Sequence, residues 1–332
     1  MHMSDPSEPV TYLEAIRAAL NDILSEDDRT FLLGEDISTY GGAFKVTDGF
    51  RDKFGADRII DTPIAEGGII GTAIGAALMG RRPIVEMQFM DFISCGFNQL
   101  TNFAAKCHYR WGGAVPIIVR GPGGGLVGGG PFHSQSIEVY FAKTPGLKVL
   151  CPATVQDAYG MLRAAIDDPN PTIFIEHKAL YRSPNIKAPL PPNDYRVSAG
   201  TAQFRRSGQE LLLITYGALL YRTLEAAERL SKLGIEAGVL DLRSIAPLDQ
   251  SAIIDGVKTY HKVLIVHEDT QTLGIAAEIC ALINEHAFEW LDAPVRRLTA
   301  PNTPIPYHAA LEAAFAPQVD QIEQAALDLA QY

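Results

Sequence analysis

The 332-residue chain has few of the features that would mark a metal centre, a disulfide scaffold or a nucleic-acid binder. Its four cysteines, Cys95, Cys107, Cys151 and Cys280, show no CxxC or CxxH spacing, so they read as reduced core residues of a cytosolic protein. Positive charge is scarce. Lys and Arg number 28 against 39 Asp and Glu, and the net charge of −11 argues against nucleic acid, whose phosphates need a basic face. The longest weakly polar run, Gly67 to Gly80, is shorter than the roughly 18 residues of a membrane span. Met1 to Pro6 has no basic stretch followed by an apolar one, which excludes a secretory signal there. No Gly-Lys-Ser/Thr phosphate loop occurs, and no GxGxxG follows a first strand with a suitably placed acid.

What is present is apolar residue and a regular alternation. Hydrophobic residues make up 47% of the chain and charged residues 20%, enough for large cores. The length predicts roughly two domains of about 150 residues. Thr11-Tyr-Leu-Glu14 is a capping box, and Leu13, Ile16, Leu20, Ile23 and Leu24 then follow a helical period to about Ser25. Thr30 to Leu33, Ile59-Ile60, Pro83 to Phe89, Val115 to Arg120, Leu147 to Leu150 and Thr172 to Glu176 read as strands. Helices are expected between them, over Asp91 to Trp111 and Thr154 to Asp167. This alternation implies α/β architecture with a parallel sheet covered on both faces.

The proline-rich stretch from Ser183 to Pro192 cannot sit inside a helix or a central strand and reads as a linker. A second alternation follows: strands at Leu211 to Thr215, Ala237 to Leu242 and Val263 to Val266, helices at Leu219 to Leu233 and Ile275 to Trp290. The expected division is a first α/β domain over 8–182, a linker over 183–200 and a smaller α/β domain over 201–332.

Chemistry concentrates in the first half. Asp61-Thr-Pro-Ile-Ala-Glu66 follows a strand and opens a small-residue helix, which places the Glu66 carboxyl at a sheet's C-terminal edge, where ligands of parallel sheets bind. An acid stabilised by a helix N-terminus is the plainer account. Gly121 to Gly130 has seven glycines in ten residues, either for flexibility or to let a bulky ligand approach the backbone. His133 ends that loop beside Ser134 and Gln135, as a solvated side chain or a proton donor and acceptor near neutral pH. Phe89 and Phe92 are core packing or a stacking surface for a flat heterocycle. An acid, aromatics, a glycine loop and a histidine without a phosphate motif fit half of a shared site for an organic cofactor.

Taken together the segments resemble the beta subunit of the thiamine-diphosphate-dependent decarboxylating component of 2-oxo acid dehydrogenase complexes, which act on pyruvate, branched-chain 2-oxo acids or acetoin. The matching runs are Leu33 to Asp36, Asp61 to Glu66, Arg82 to Glu86, His133 to Ser136, Pro145 to Val149, Glu176 to Tyr181, Tyr216 to Ala218, Asp241 to Arg243 and Asp292 to Val295. The resemblance implies two parallel-sheet α/β domains, a pyrimidine-binding transketolase-like domain and a transketolase C-terminal-like domain. The family's Gly-Asp-Gly signature for magnesium and diphosphate is absent here, which assigns both to an alpha subunit.

The resemblance makes Glu66 the acid that bonds the cofactor's pyrimidine nitrogen. It makes Glu35 a second acid in a proton relay, and Phe92 the aromatic packed on the pyrimidine. Gln88 joins the cofactor-binding set. His133 would face the substrate and the incoming lipoyl group. A structural potassium ion would sit at Ile117, Ala165, Ile166, Asp168 and Asn170. Phe132, next to His133, is bulkier than that pattern leads one to expect. The partners implied are an alpha subunit, in a heterotetramer of two alpha and two beta, and a lipoyl-bearing transacylase core, with neither nucleic acid nor membrane. The competing readings are an acetoin dehydrogenase beta subunit and a non-catalytic assembly subunit docked to the core.

Overall fold

The computed structural model describes residues 8–332, so the reading of Met1 to Pro6 lies outside the described residues. The chain forms two compact units. One comprises residues up to Gly123 together with Tyr140–Ala199; the other comprises Gly124–Val139 and Gly200–Tyr332. The glycine-rich loop therefore belongs with the second unit, although it follows a strand of the first.

The first unit begins with α1 (Tyr12–Glu26), started by the expected capping box: Thr11 Oγ1 accepts from Glu14 N–H (3.2 Å) while Thr11 N–H donates to the Glu14 carboxylate (2.7 Å). Its apolar stripe is buried. Strands β1 (Thr30–Gly34), β2 (Ile59–Asp61), β3 (Arg82–Glu86), β4 (Ile118–Gly123), β5 (Lys148–Leu150) and β6 (Thr172–His177) alternate with α2 (Phe50–Phe54), α3 (Glu66–Leu78), α4 (Ala105–Trp111), α5 (Glu138–Ala142), whose first two residues are counted with the second unit, and α6 (Val155–Ala165). These strands lie in the order β5-β6-β4-β3-β1-β2, every pair parallel. The β1, β4 and β6 strands are buried throughout, as a sheet covered on both faces requires.

The structure departs from the sequence reading where backbones approach closely. The helix expected over Asp91 to Trp111 is three pieces: a 3₁₀ stretch (Met90–Gly96), a π-helical stretch (Gln99–Ala104) and α4. A Cβ at Gly96 would stand 2.2 Å from Ile70 Cδ1, and one at Gly67 would stand 3.1 Å from the Cys95 carbonyl. Fitting this segment against α3 changes its hydrogen-bond register, which hydrophobic periodicity does not report. The expected strand at Val115 to Arg120 begins at Ile118 and runs on through Gly121, Pro122 and Gly123, which pair with Ile175, Glu176 and His177. The glycine loop proper thus starts at Gly124. Strand β3 ends at Glu86, short of Phe89. Cys107 and Cys151 are buried as expected, but Cys95 is exposed and Cys280 half-buried.

In the second unit β8 (Leu211–Thr215), β9 (Ala237–Asp241), β11 (Val263–Thr270) and β12 (Arg296–Ala300) form a parallel sheet. Strand β7 (Gln203–Arg206) is added antiparallel at its edge, giving the order β12-β11-β8-β9-β7. A short strand, β10 (Ser244–Ala246), follows β9. Helices α7 (Leu219–Lys232), α8 (Gln250–Tyr260), α9 (Ile275–His286), α10 (Ala309–Phe315) and α11 (Val319–Ala330) complete the unit. Gly234, at φ +84°, ends the turn after α7 as a left-handed terminator. The sequence reading left out β7, β10, β12, α8, α10 and α11. Among the described residues no helix is long and apolar enough to cross a membrane.

Candidate functional site

In the first unit the acidic residues gather where the strands end. Glu35 follows β1 directly, and Glu66 is the first residue of α3. The β2–α3 turn is tied to the end of β1: Thr62 N–H donates to the Gly34 carbonyl (3.0 Å), and the Asp61 carboxylate accepts from the N–H groups of Ser38 (2.6 Å) and Thr39 (3.2 Å). Glu35 is buried, whereas Glu66 is half-buried. Burial, with the negative charges of Glu66 and Asp36, holds the Glu35 carboxyl above the ordinary carboxylate range. Of Glu35 and Glu66, Glu35 is the less exposed to solvent.

The other predicted residues of this unit lie nearby in the fold. Gln88 Nε2 donates to Asp36 Oδ2 (3.2 Å), joining the segment after β3 to the one after β1. Phe92 stands edge-on to Phe89, with centroids 6.1 Å apart, and Phe89 stands edge-on to Phe44 at 5.7 Å. Phe44 in turn meets Tyr181 at 5.2 Å. The Tyr181 hydroxyl donates to Glu176 Oε2 (2.5 Å). That carboxylate is paired with the Arg120 guanidinium, whose Nη2 donates to Glu176 Oε2 at 2.6 Å and whose Nη1 donates to Glu86. Arg120 and Glu176 are essentially inaccessible to solvent. The Arg120–Glu86 pairing follows from strand register, because Glu86 lies opposite Arg120 across β3 and β4, whereas Glu176 lies opposite Pro122 on β4. The ion pairs and the aromatic chain above them brace the segment that carries Phe92. The sequence reading did not single out Arg120 or Glu176 as a buried pair, and no local signal marks them as such.

The five residues of the potassium reading meet at one corner of this unit. Ile117 O accepts from Thr172 N–H (2.9 Å), Ala165 O from Asp168 N–H (3.3 Å), and Ile166 O from Arg82 Nη1 (3.0 Å). Asp168 Oδ1 accepts from Asn170 N–H (2.9 Å), and the turn is pinned by Val115 N–H donating to Pro169 O (2.9 Å). Each carbonyl keeps a second lone pair, while Ile166 O and the Asp168 carboxylate already take cationic donors, Arg82 and Lys148. Among the described residues no group of three or more His, Cys, Asp or Glu is gathered as a metal centre.

His133 belongs to the second unit. It is half-buried, its N–H donates to Gly130 O (3.3 Å), and its neighbour Phe132 is 71% exposed. Ser134 is buried beneath it. The same unit holds an acidic set that the sequence reading missed: buried Glu138, Glu268 and Glu312, with half-buried Asp269. Burial, with Asp269 and Glu268 nearby, pushes Glu138 up to about 8. Burial also pushes Asp269 up to about 6 and His267 down to about 4. These residues are separated by up to 174 positions (138 to 312), so no motif links them.

Two family models account for nearly all of the described chain: the transketolase pyrimidine-binding domain over residues 8–184 and the transketolase C-terminal domain over 200–322. A solved structure of a split-gene transketolase, in an inactive beta4 tetramer, superposes with a TM-score of 0.78 over 98% of this chain and 99% of that one at 19% identity, a likeness of fold. The class is therefore transketolase-like. The 2-oxoisovalerate dehydrogenase subunit beta of Bacillus subtilis (strain 168) is 45% identical over 328 residues, covering 97% of this chain and 99% of that protein. The mitochondrial pyruvate dehydrogenase E1 component subunit beta-2 of Oryza sativa subsp. japonica is 41% identical over 326 residues, covering 97% and 87%. The chain belongs to the E1 beta subunits of the thiamine-dependent 2-oxo acid dehydrogenases.

Proposed function

We propose that this chain is the beta half of a decarboxylating 2-oxo acid dehydrogenase, acting with an alpha subunit in a heterotetramer of two alpha and two beta. The observation that carries the reading is full-length identity of 40–45% to such subunits, combined with the placement of Glu35 and Glu66 at the end of β1 and the start of α3. The reaction is the oxidative decarboxylation of pyruvate or a branched-chain 2-oxo acid, with the acyl group passed to lipoyl domains of a transacylase core. Thiamine diphosphate, when bound, supplies the electron sink that releases carbon dioxide. Glu66 would hold a proton at its pyrimidine nitrogen, Glu35 would exchange a proton with Glu66, and Gln88 and Phe92 would orient the ring. His133 would manage protons in the acyl-transfer half. Magnesium and the diphosphate would be held by the alpha subunit, potassium would occupy the Ile117–Asn170 corner, and the cytoplasm is the expected compartment.

Two measurements test this. Titration of the isolated chain with thiamine diphosphate and magnesium by calorimetry should show weak binding; micromolar affinity without a partner contradicts a shared site. Co-expression with an alpha subunit should yield decarboxylation, compared for pyruvate and 3-methyl-2-oxobutanoate with an artificial electron acceptor. Failure of both substrates in an assembled heterotetramer would favour an assembly role. The two substrates differ by methyl groups worth about 0.8 kcal/mol per buried methylene, so the ratio of rates decides between them.

A further inference from the structure

The loop between Gly124 and Gln135 is closed on itself, with Gly124 N–H donating to Gln135 O (3.2 Å). Two further backbone donors inside it are taken by carboxylates from distant parts of the second unit. Gly125 N–H donates to Glu268 Oε1, and Gly128 N–H donates to Glu312 Oε2 (2.7 Å). Glu268 is 8% exposed and Glu312 is 5% exposed. The glycines are fitted to these partners as well as free to turn. A Cβ at Gly125 would come within 3.2 Å of Glu268 Oε1 and 3.4 Å of Glu312 Oε1. Gly128 and Gly130 have φ of +78° and +69°, and a Cβ at Gly130 would overlap the Tyr307 ring at 2.6 Å. The loop is therefore held at several points, and His133 follows the second carboxylate contact by five residues.

Glu312 is a poor choice for stability alone. Its Oε1 is buried with no hydrogen-bond partner among the described residues, and burying a polar atom without a partner costs stability. Its definite structural effect is to fix the Gly128 amide. We propose that Glu268 and Glu312 are positioning residues that clamp the glycine loop and so set where His133 stands for acyl transfer. The inference rests on the reading of His133 given above, and it goes beyond that reading by naming what aims the histidine.

The test uses the assembled alpha–beta complex carrying Glu312→Met, Glu312→Gln or His133→Ala. Readouts are reductive acylation of a free lipoyl domain, melting temperature, and hydrogen exchange of the peptide spanning residues 124–139. Glu312→Met removes the acceptor while filling its space. It should speed exchange in the loop and slow kcat for acylation by about tenfold to a hundredfold, with KM for the lipoyl domain little changed and the melting temperature unchanged or raised. Glu312→Gln keeps an oxygen facing Gly128 and should retain acylation within about threefold. A lowered melting temperature with normal acylation in Glu312→Met would mark a purely structural role and overturn the proposal. So would a Gln variant as impaired as Met. If the Met variant does not assemble, Glu312→Asp, which keeps the charge and shortens the reach, is judged by the same acylation and exchange criteria. Slow acylation in His133→Ala with normal acylation in Glu312→Met sinks the clamp alone; normal acylation in His133→Ala sinks the role of His133 and the clamp together.

Discussion

The two units bury acid by different means. In the first, Glu86 and Glu176 flank a single guanidinium, Arg120, at the heart of a parallel sheet. Burial raises Glu86, Arg120 opposes that shift, and the charge of Glu176 adds to it. In the second, Glu268 and Glu312 bond backbone amides of a glycine loop, and Glu138 is kept protonated by burial and by its acidic neighbours. Arg222 interacts electrostatically with Glu268, and its Nη1 donates to the Pro317 carbonyl (2.8 Å). A guanidinium between strands makes a rigid support. Carboxylates that accept from loop amides hold a segment with its own conformational freedom through charge-assisted hydrogen bonds. The first arrangement lies in the unit that contains Glu35 and Glu66, and the second in the unit that contains His133.

The sharpest way to break this contrast is to remove the guanidinium. Arg120→Met leaves Glu86 and Glu176 buried without their partner, and breaking a buried pair in this way costs about 3–5 kcal/mol. Chemical unfolding should show the loss; a variant within about 1 kcal/mol of the parent would mean that the hub is no main support of the first unit. Next is chemistry on that support. Glu66→Gln in the heterotetramer should cost about 10²–10⁴-fold in turnover with assembly intact, since an amide cannot exchange a proton. Retention of more than about a tenth of the parental rate removes Glu66 from the proton path.

A smaller effect probes the second unit. Folded Glu138 keeps its proton to about pH 8, whereas the ordinary value is 4.5, so folding takes up a proton between them. Its stabilising contribution is therefore full at low pH and is lost as pH rises towards 8. Glu138→Gln should flatten the stability–pH curve in that window by up to about 1.4 kcal/mol per pH unit, leaving the shallower fall that Asp269 contributes up to about 6. Identical slopes for parent and variant would show Glu138 ionised in the fold. The smallest expected change is at the Ile117–Asn170 corner. Replacing potassium by a bulky organic cation in the buffer should lower stability by about 1.4 kcal/mol if potassium was at ten times its Kd. No potassium-dependent shift in melting would leave that corner to Arg82 and to the Lys148–Asp168 pair.

Much of the architecture was legible because it is written in local signals. The Thr11–Glu14 capping box, the buried strands at Thr30, Lys148 and Thr172, and the stop at Gly234 each follow from neighbouring residues and appear at or within a residue or two of the expected place. Glu66 at the head of a helix after a strand was equally readable. Composition and charge alone argued against a nucleic-acid binder, and the run of motifs pointed to a member of this family. The tertiary structure decided what depends on contact across the chain. It split the helix over Asp91 to Trp111, because Gly96 and Ile70 approach too closely for one regular register. It carried β4 on to Gly123, because β6 supplies partners for a glycine–proline–glycine run. It placed the glycine loop with the second unit and gave it Glu268 and Glu312 as partners, residues more than 140 positions away. Helix caps and strand alternation are short-range physics and can be read in order; hydrogen bonds and ion pairs between distant residues exist only after the chain has folded back on itself.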